Sequence, residues 1–319
     1  MHKRFVNHCT IDLTLIPDGP ILIKSGKEGA DPTKPDMEFV ETYYAGRKSI
    51  YLPGSSLKGA IRAHAERIVR TVGGEHYDSS KPNLPWANDP LKDKYNYLEK
   101  KSAPEICKHS SFTDQMFGNT SIASRVRIKD AYPDPNKPKP QVEERNGVAI
   151  DRVFGSVAVG PFNYQVCTAG EFRTQINLKN FTLAQLGLIG LVLRDLNEGW
   201  FGLGFAKSRG LGTVRVKFNK AVVQYPGCVL EDKKIRMIGS QKQPFSHTLL
   251  LGAGEFLEPY EAESYGFPAQ DRQNTPVAAE SMDFGFGVQL VWRGEGDSGV
   301  SDLFMRAVKS WSHLLIGAR

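Results

Sequence analysis

The stretch IYLPGSSLKGAIRAHAERIVR (50–70) decides how the rest of the chain is read. Leu57, Ile61, Ala65, Ile68 and Val72 recur at helical spacing, and Ser55 or Ser56 stands where a helix cap belongs. Glu66 precedes Arg70 by four residues, and Gly73 and Gly74 stop the pattern. This spacing predicts one amphipathic helix. Lys58 in its first turn and Arg62 one turn later lie at the positive end of the helix dipole. A cation there is mildly unfavourable unless solvent screens it or an anion sits beside it.

Working outward, RFVNHCTIDLTLIP (4–17) alternates apolar and polar residues and stops at Pro17, which reads as a strand. RVRIKDA (125–131) and GTVRVKF (212–218) alternate in the same way. AIDRVFGSVAVGPFNYQVCTAGEFRTQINL (149–178) carries β-branched and aromatic residues broken by Gly155, Gly160 and Gly170, the pattern of bent strands or a protruding hairpin. FTLAQLGLIGLVLRDLNEG (181–199) is a mostly buried helix capped near Thr182. The order strand, helix, strand, strand, helix, strand predicts an α+β, ferredoxin-like (RRM-like) βαββαβ core. That core is expected over 1–222, with a polar, turn-rich insertion at about 75–111 and the hairpin at about 140–172. Residues 223–319 form an α/β extension: two strands, HTLLLGAGEFL and DFGFGVQLVW, and a helix with Val300, Leu303, Phe304, Ala307, Val308, Trp311, Leu314 and Leu315 on one face.

Composition narrows the class of protein. A chain of 319 residues with 40% hydrophobic and 24% charged residues is that of a folded, soluble protein. Its 41 basic against 35 acidic residues, a formal charge of +6, weakly favour a polyanionic partner. Cys9, Cys107, Cys167 and Cys228 form no CxxC pair, and no signal-like apolar run follows the first residues, so a reducing cytoplasm is expected. Cys107 and His109 supply at most half of a zinc site. The apolar run LGLIGLVL (186–193) is too short to cross a bilayer, so no membrane partner is expected.

The loop WFGLGFAKSRGLGTV (200–214) mixes glycines with Lys207 and Arg209. Glycines let backbone amides approach a ligand, and the cations favour an anion; a purely structural turn is the alternative. A P-loop is excluded, because Ala206 stands where its glycine belongs and the loop follows a helix instead of leading into one.

YLPGSSLKGAIR, MFGNTSIASRVRIKDA, AIDRVFGSVAVGPFNYQVCTAGEF and GFAKSRGLGTV, in that order, resemble the RAMP superfamily of CRISPR proteins. The nearest likeness is to backbone subunits of type III effector complexes, and it covers roughly 4–218. The resemblance implies a guide-RNA-binding subunit, with Ser55, Ser56, Lys58, Arg62, Arg127, Lys207, Ser208 and Arg209 on the RNA backbone. It makes 140–172 a thumb-like hairpin whose Val153, Phe154 and Val157 wedge the guide and target duplex; ordinary core is their other reading. It also implies cleavage of complementary target RNA with Mg²⁺ or Mn²⁺ at an aspartate in the loop 25–49, where Asp36 is the choice and Asp31 the reserve. The implied partners are CRISPR guide RNA, complementary target RNA, other RAMP-type subunits and the large subunit of the complex. A non-catalytic subunit of the same complex and a metal-independent repeat-RNA processing endonuclease are the competing readings. His64 reads as packing, and Asp130 and Asp151 read as structural partners of arginines such as Arg152.

Overall fold

Strand β1 (His8–Pro17) buries Cys9, Ile11, Leu13 and Leu15, while His8, Thr10 and Asp12 point to the other side of the sheet. The computed structural model describes residues 4–26, 34–81, 84–89, 91, 95–296 and 298–316. A short hairpin, β2 (Glu41–Tyr44) and β3 (Arg47–Ile50), leads into α1 (Gly54–Val72), which buries Leu57, Ile61, Ala65 and Val69 and ends at Gly73. The insertion that follows is packed rather than loose. Trp86, Ala87, Leu98 and Cys107 are buried in it, and it contains α2 (Ala103–His109). Helix α3 (Phe112–Phe117) and the short strands β4 (Val126–Ile128) and β5 (Tyr132–Pro133) return the chain to the sheet.

Strands β6 (Gln141–Ile150) and β7 (Val157–Ala169) form a long antiparallel hairpin; β8 (Phe172–Lys179), α4 (Leu183–Asn197) and β9 (Val214–Tyr225) complete the core. After it come β10 (Cys228–Glu231), β11 (Lys234–Met237), β12 (Phe245–Ser246), β13 (Leu249–Leu251) and α5 (Pro259–Tyr265). The chain ends with β14 (Arg272–Asn274), β15 (Glu280–Ser281), β16 (Val288–Arg293) and α6 (Val300–Ile316).

The main sheet runs β15-β16-β9-β1-β8-β4, with β5 also beside β8, and its neighbouring strands are antiparallel. Each β-helix-β crossover skips one position, and the other crossover's strand fills it. The stretch β9-β1-β8-β4 is therefore the ferredoxin-like arrangement that the element order predicts. Strand β9 runs to Tyr225, so the division expected after 222 falls within a strand, and the residues beyond it add β16 to the same sheet. Helix α6 packs on α4, with the Trp311 indole donating to the Ala184 carbonyl at 2.8 Å. The two C-terminal strands are shorter than expected, because the chain turns at Ala253–Phe256 and because Phe284 takes a positive φ before β16.

The start of α1 departs from expectation. Ser55 and Ser56 are exposed and cap nothing; Pro53 is the cap residue and makes no side-chain bond. The Asp130 carboxylate accepts the Gly54 amide at 2.7 Å instead. A side chain on Gly54 would meet the Ile128 carbonyl oxygen at 2.4 Å, so only glycine lets the helix start against the end of β4. The anion beside the positive helix end is thus supplied by the chain itself.

Candidate nucleic-acid interface

Register places three segments at one edge of the sheet. The end of β1 pairs with the beginnings of both neighbours, Pro17 with Val214 and Leu15 with Phe172. The glycine-rich loop and the base of the hairpin therefore flank the exit of β1. Residues 18–24 lie between them: Leu22 accepts the Phe205 amide at 2.7 Å, and Ile21 exchanges backbone bonds with Cys167 at 2.8 and 2.9 Å. Gly204 has φ +78°, and a side chain there would sit 2.2 Å from the Leu22 carbonyl oxygen, so this close approach requires glycine. Helix α1 joins the loop through His64, whose ring stacks on Phe201 at 4.3 Å while its Nε2 meets Asp195 at 2.7 Å. His64 is buried, in line with its reading as packing.

The cations divide into two sets. Lys207, Ser208 and Arg209 are exposed on a single 3₁₀ turn. The Phe205 ring holds Arg209 at 5.1 Å and Lys24 at 5.0 Å, which adds Lys24 to the cationic edge. No local pattern marks Lys24 in sequence, because the shared ring lies some 180 residues away and is brought in by loop packing. Lys58 donates to the Ser124 hydroxyl at 2.9 Å, and burial, with Arg62 adding to it, holds its pKa below the usual lysine range.

Arg62 differs from the residues expected beside it on RNA. Its guanidinium turns inward, donating to Glu66 at 2.7 Å, the Gly118 carbonyl at 2.9 Å and the buried Asp114 at 2.8 Å. Burial works against its charge, but Glu66 and Asp114 more than offset that. Its donors are committed within the protein. Arg127 is exposed on β4, on the sheet side away from the helices, and is not brought to the glycine loop.

Val153, Phe154 and Val157 are 80%, 84% and 58% exposed, which rules out a core role for them in this chain. The tip is nonetheless ordered. Asp151 accepts the amides of Val153 and Phe154, both at 2.8 Å, so it acts through backbone bonds and not through Arg152. An exposed apolar tip at the end of a long antiparallel hairpin is suited to unstacking bases.

Asp36 is exposed beside the middle of β7, where its Oδ2 accepts the Asn163 amide at 2.8 Å and Met37 bridges to Tyr164. Strand geometry sets it on the order of 20 Å from the tip of its own hairpin. Asp31 lies outside the described residues. Among the described residues no three His, Cys, Asp or Glu side chains gather as metal ligands. The absence of such a group among the described residues is compatible with a divalent ion held mostly by water beside Asp36, and no step is assigned to the ion. The zinc half-site is also spent: the Cys107 sulfur accepts the Arg125 guanidinium at 2.9 Å, and the His109 ring meets Tyr77.

A ferredoxin-like sheet with a cationic glycine loop at one end and a long apolar-tipped hairpin beside it is an architecture shared with RNA-recognition folds. A family model described as RAMP superfamily matches residues 15–215. The chain belongs to the RAMP superfamily, which gives it a CRISPR-associated, RNA-binding role and partners that include RNA and other proteins of a complex. No curated protein matches it. No helix among the described residues is long and apolar enough to cross a membrane.

Proposed function

We propose that the chain is a guide-RNA-binding backbone subunit of a type III CRISPR effector complex that cleaves complementary target RNA at Asp36. The observation that carries this reading is the joining, at one sheet edge, of a cationic loop to the base of a hairpin with a solvent-exposed apolar tip. The loop holds phosphates, the tip displaces bases, and base pairing alone reads sequence. Asp36, exposed at the flank of the hairpin, takes the proton of a ribose 2′-hydroxyl as its oxygen attacks the adjacent phosphate in line. The leaving 5′-oxygen gains a proton, giving a 2′,3′-cyclic phosphate and a 5′-hydroxyl. The strand at Asp36 must be splayed by a tip other than the chain's own, so the reaction belongs to an assembly of copies.

A non-catalytic subunit is the second reading, favoured by the Asp36 carboxylate having one oxygen already bound by the Asn163 amide. The assembled complex with complementary RNA separates the two. Asp36→Ala is expected to lower cleavage about a hundredfold with binding retained; cleavage at the parental rate overturns the catalytic assignment. Cleavage of free repeat RNA in EDTA points instead to the repeat-processing endonuclease. In the same complex, Lys58→Ala and Arg209→Ala are each expected to flatten the dependence of log affinity on log salt by about 0.7, without changing sequence preference. An unchanged slope in both removes the phosphate role of this edge.

A further inference from the structure

The side of the sheet away from the helices carries a second cationic surface. Alternation puts the apolar residues of β1, β8, β9 and β16 under α1, α4 and α6, and among the described residues no helix lies over the other side. Lys179, Lys217, Lys220, Arg293 and Arg127 project from that open side. Among the described residues Arg127, Lys217, Lys220 and Arg293 form no ion pair; Arg173 and Arg215, nearer the edge, are paired with Asp134 and Asp18. Among the described residues the carboxylates carried by the strands themselves on this side, Asp12 and Glu280, are bound by amides, Asp12 by Gln175 at 2.7 Å and Glu280 by Gln289 at 2.9 Å.

Two features indicate what the surface meets. Lys220 has Arg293 on β16 and Asp12 on β1 as its direct cross-strand neighbours, so one carboxylate, already bound by the Gln175 amide, faces two adjacent cations, and the excess positive charge favours a counter-charge from outside. The ground between the cations is a carpet of tied polar side chains, Thr10 to Asn177 at 3.2 Å, Asn177 to Gln175 at 3.2 Å and Asn219 to Thr14 at 2.9 Å. The apolar exceptions are Ile16, Val222 and Val291, too few for the desolvated centre that a protein partner would need. No phenylalanine, tyrosine or tryptophan projects from this side of β4, β8, β1, β9 or β16. RNA-recognition sheets read bases by stacking them on aromatics; here the aromatics are at the margins, Tyr132 of β5 opposite Arg173 and already stacked on Tyr44, and Phe5 against Lys179, while the central strands offer cations and amides.

We infer that the open face of the sheet binds a single RNA strand through its phosphates, indifferent to base identity, as a site separate from the glycine-loop edge. The face neutralises phosphates that the edge does not reach, and it needs neither the thumb nor Asp36. It goes beyond the proposed function and stands or falls independently of it.

Fluorescence anisotropy of the full chain with unstructured oligouridine, over a series of salt concentrations, tests the inference. Replacing Lys179, Lys217, Lys220 and Arg293 together by glutamine is expected to weaken binding at least about tenfold. It should also lower the log–log salt slope by about 2 to 3, with an unchanged melting temperature. Oligoadenosine should show the same loss. If the fourfold variant melts early, the double variant Lys217→Gln, Lys220→Gln is read instead, with about half the slope change. A wild-type slope and affinity in the face variant overturn the inference, as does a loss seen with only one of the two homopolymers. Loss in a Lys207→Gln, Arg209→Gln variant alone overturns it while leaving the proposed function intact. Loss in the face variant alone supports it and counts against the edge.

Discussion

Asp114→Ala is expected to destabilise the protein by about 3–5 kcal/mol, read as a lower urea midpoint at an unchanged denaturant slope. Asp114 is 1% exposed, and its two oxygens accept the Arg62 guanidinium at 2.8 Å, the Asn88 amide at 2.7 Å and the Tyr95 hydroxyl at 3.3 Å. Deleting the carboxylate leaves a half-buried guanidinium and a buried amide without their acceptor, and each carries its own desolvation cost. Arg62→Met strikes the same contact from the other side. Burial already raises the Asp114 pKa above its ordinary value, and loss of the cation exposes that cost in full. Lys58→Met is the control, because Lys58 makes one hydrogen bond, to Ser124, and its loss should cost at most about 1 kcal/mol. Equal and small effects at positions 58 and 62 would mean that Arg62 is a surface cation after all and belongs with the RNA contacts.

The contrast between these two neighbours marks where sequence reasoning stopped. Everything with a local period was legible: the alternation of β1, the apolar face of α1, the long hairpin with its glycine breaks, and the buried run of α4. The sheet order followed from the sequence of elements, since two split crossovers leave few other ways to close it. The partners of polar side chains were not legible. Glu66 is within one turn of both Arg62 and Arg70, and spacing alone does not say that it meets Arg62 at 2.7 Å and Arg70 only at 3.9 Å. Asp114 and Asp130, which tie down Arg62 and the start of α1, come from 52 and 76 residues downstream. The extension shows the same division. Residues 288–293 alternate and read as a strand, but nothing local says that β9 would accept it as a neighbour. Asp36 follows suit, since its backbone donor, Asn163, is 127 residues away.

Asp271→Asn is expected to remove a pH dependence of stability that the parent protein shows between about pH 4 and about pH 7. Asp271 lies beneath the first turn of α4, where both carboxylate oxygens face the Leu183 amide at 3.1 and 3.2 Å, and its own amide donates to Glu255 at 2.7 Å. Burial pushes its pKa from 3.8 up to about 7, opposed by the Leu183 amide and assisted by the charge of Glu255. In the window between those two values the folded protein holds a proton that the unfolded chain has released. Stability therefore falls as pH rises, by at most about 1.4 kcal/mol per pH unit and about 4 kcal/mol across the window, and levels off above it. Asparagine keeps an acceptor for the Leu183 amide and cannot ionise, so urea midpoints of the variant should stay level where those of the parent decline. Parallel curves for the two proteins would show that this carboxyl ionises in the ordinary range, with water or a rearranged α4 start meeting its charge.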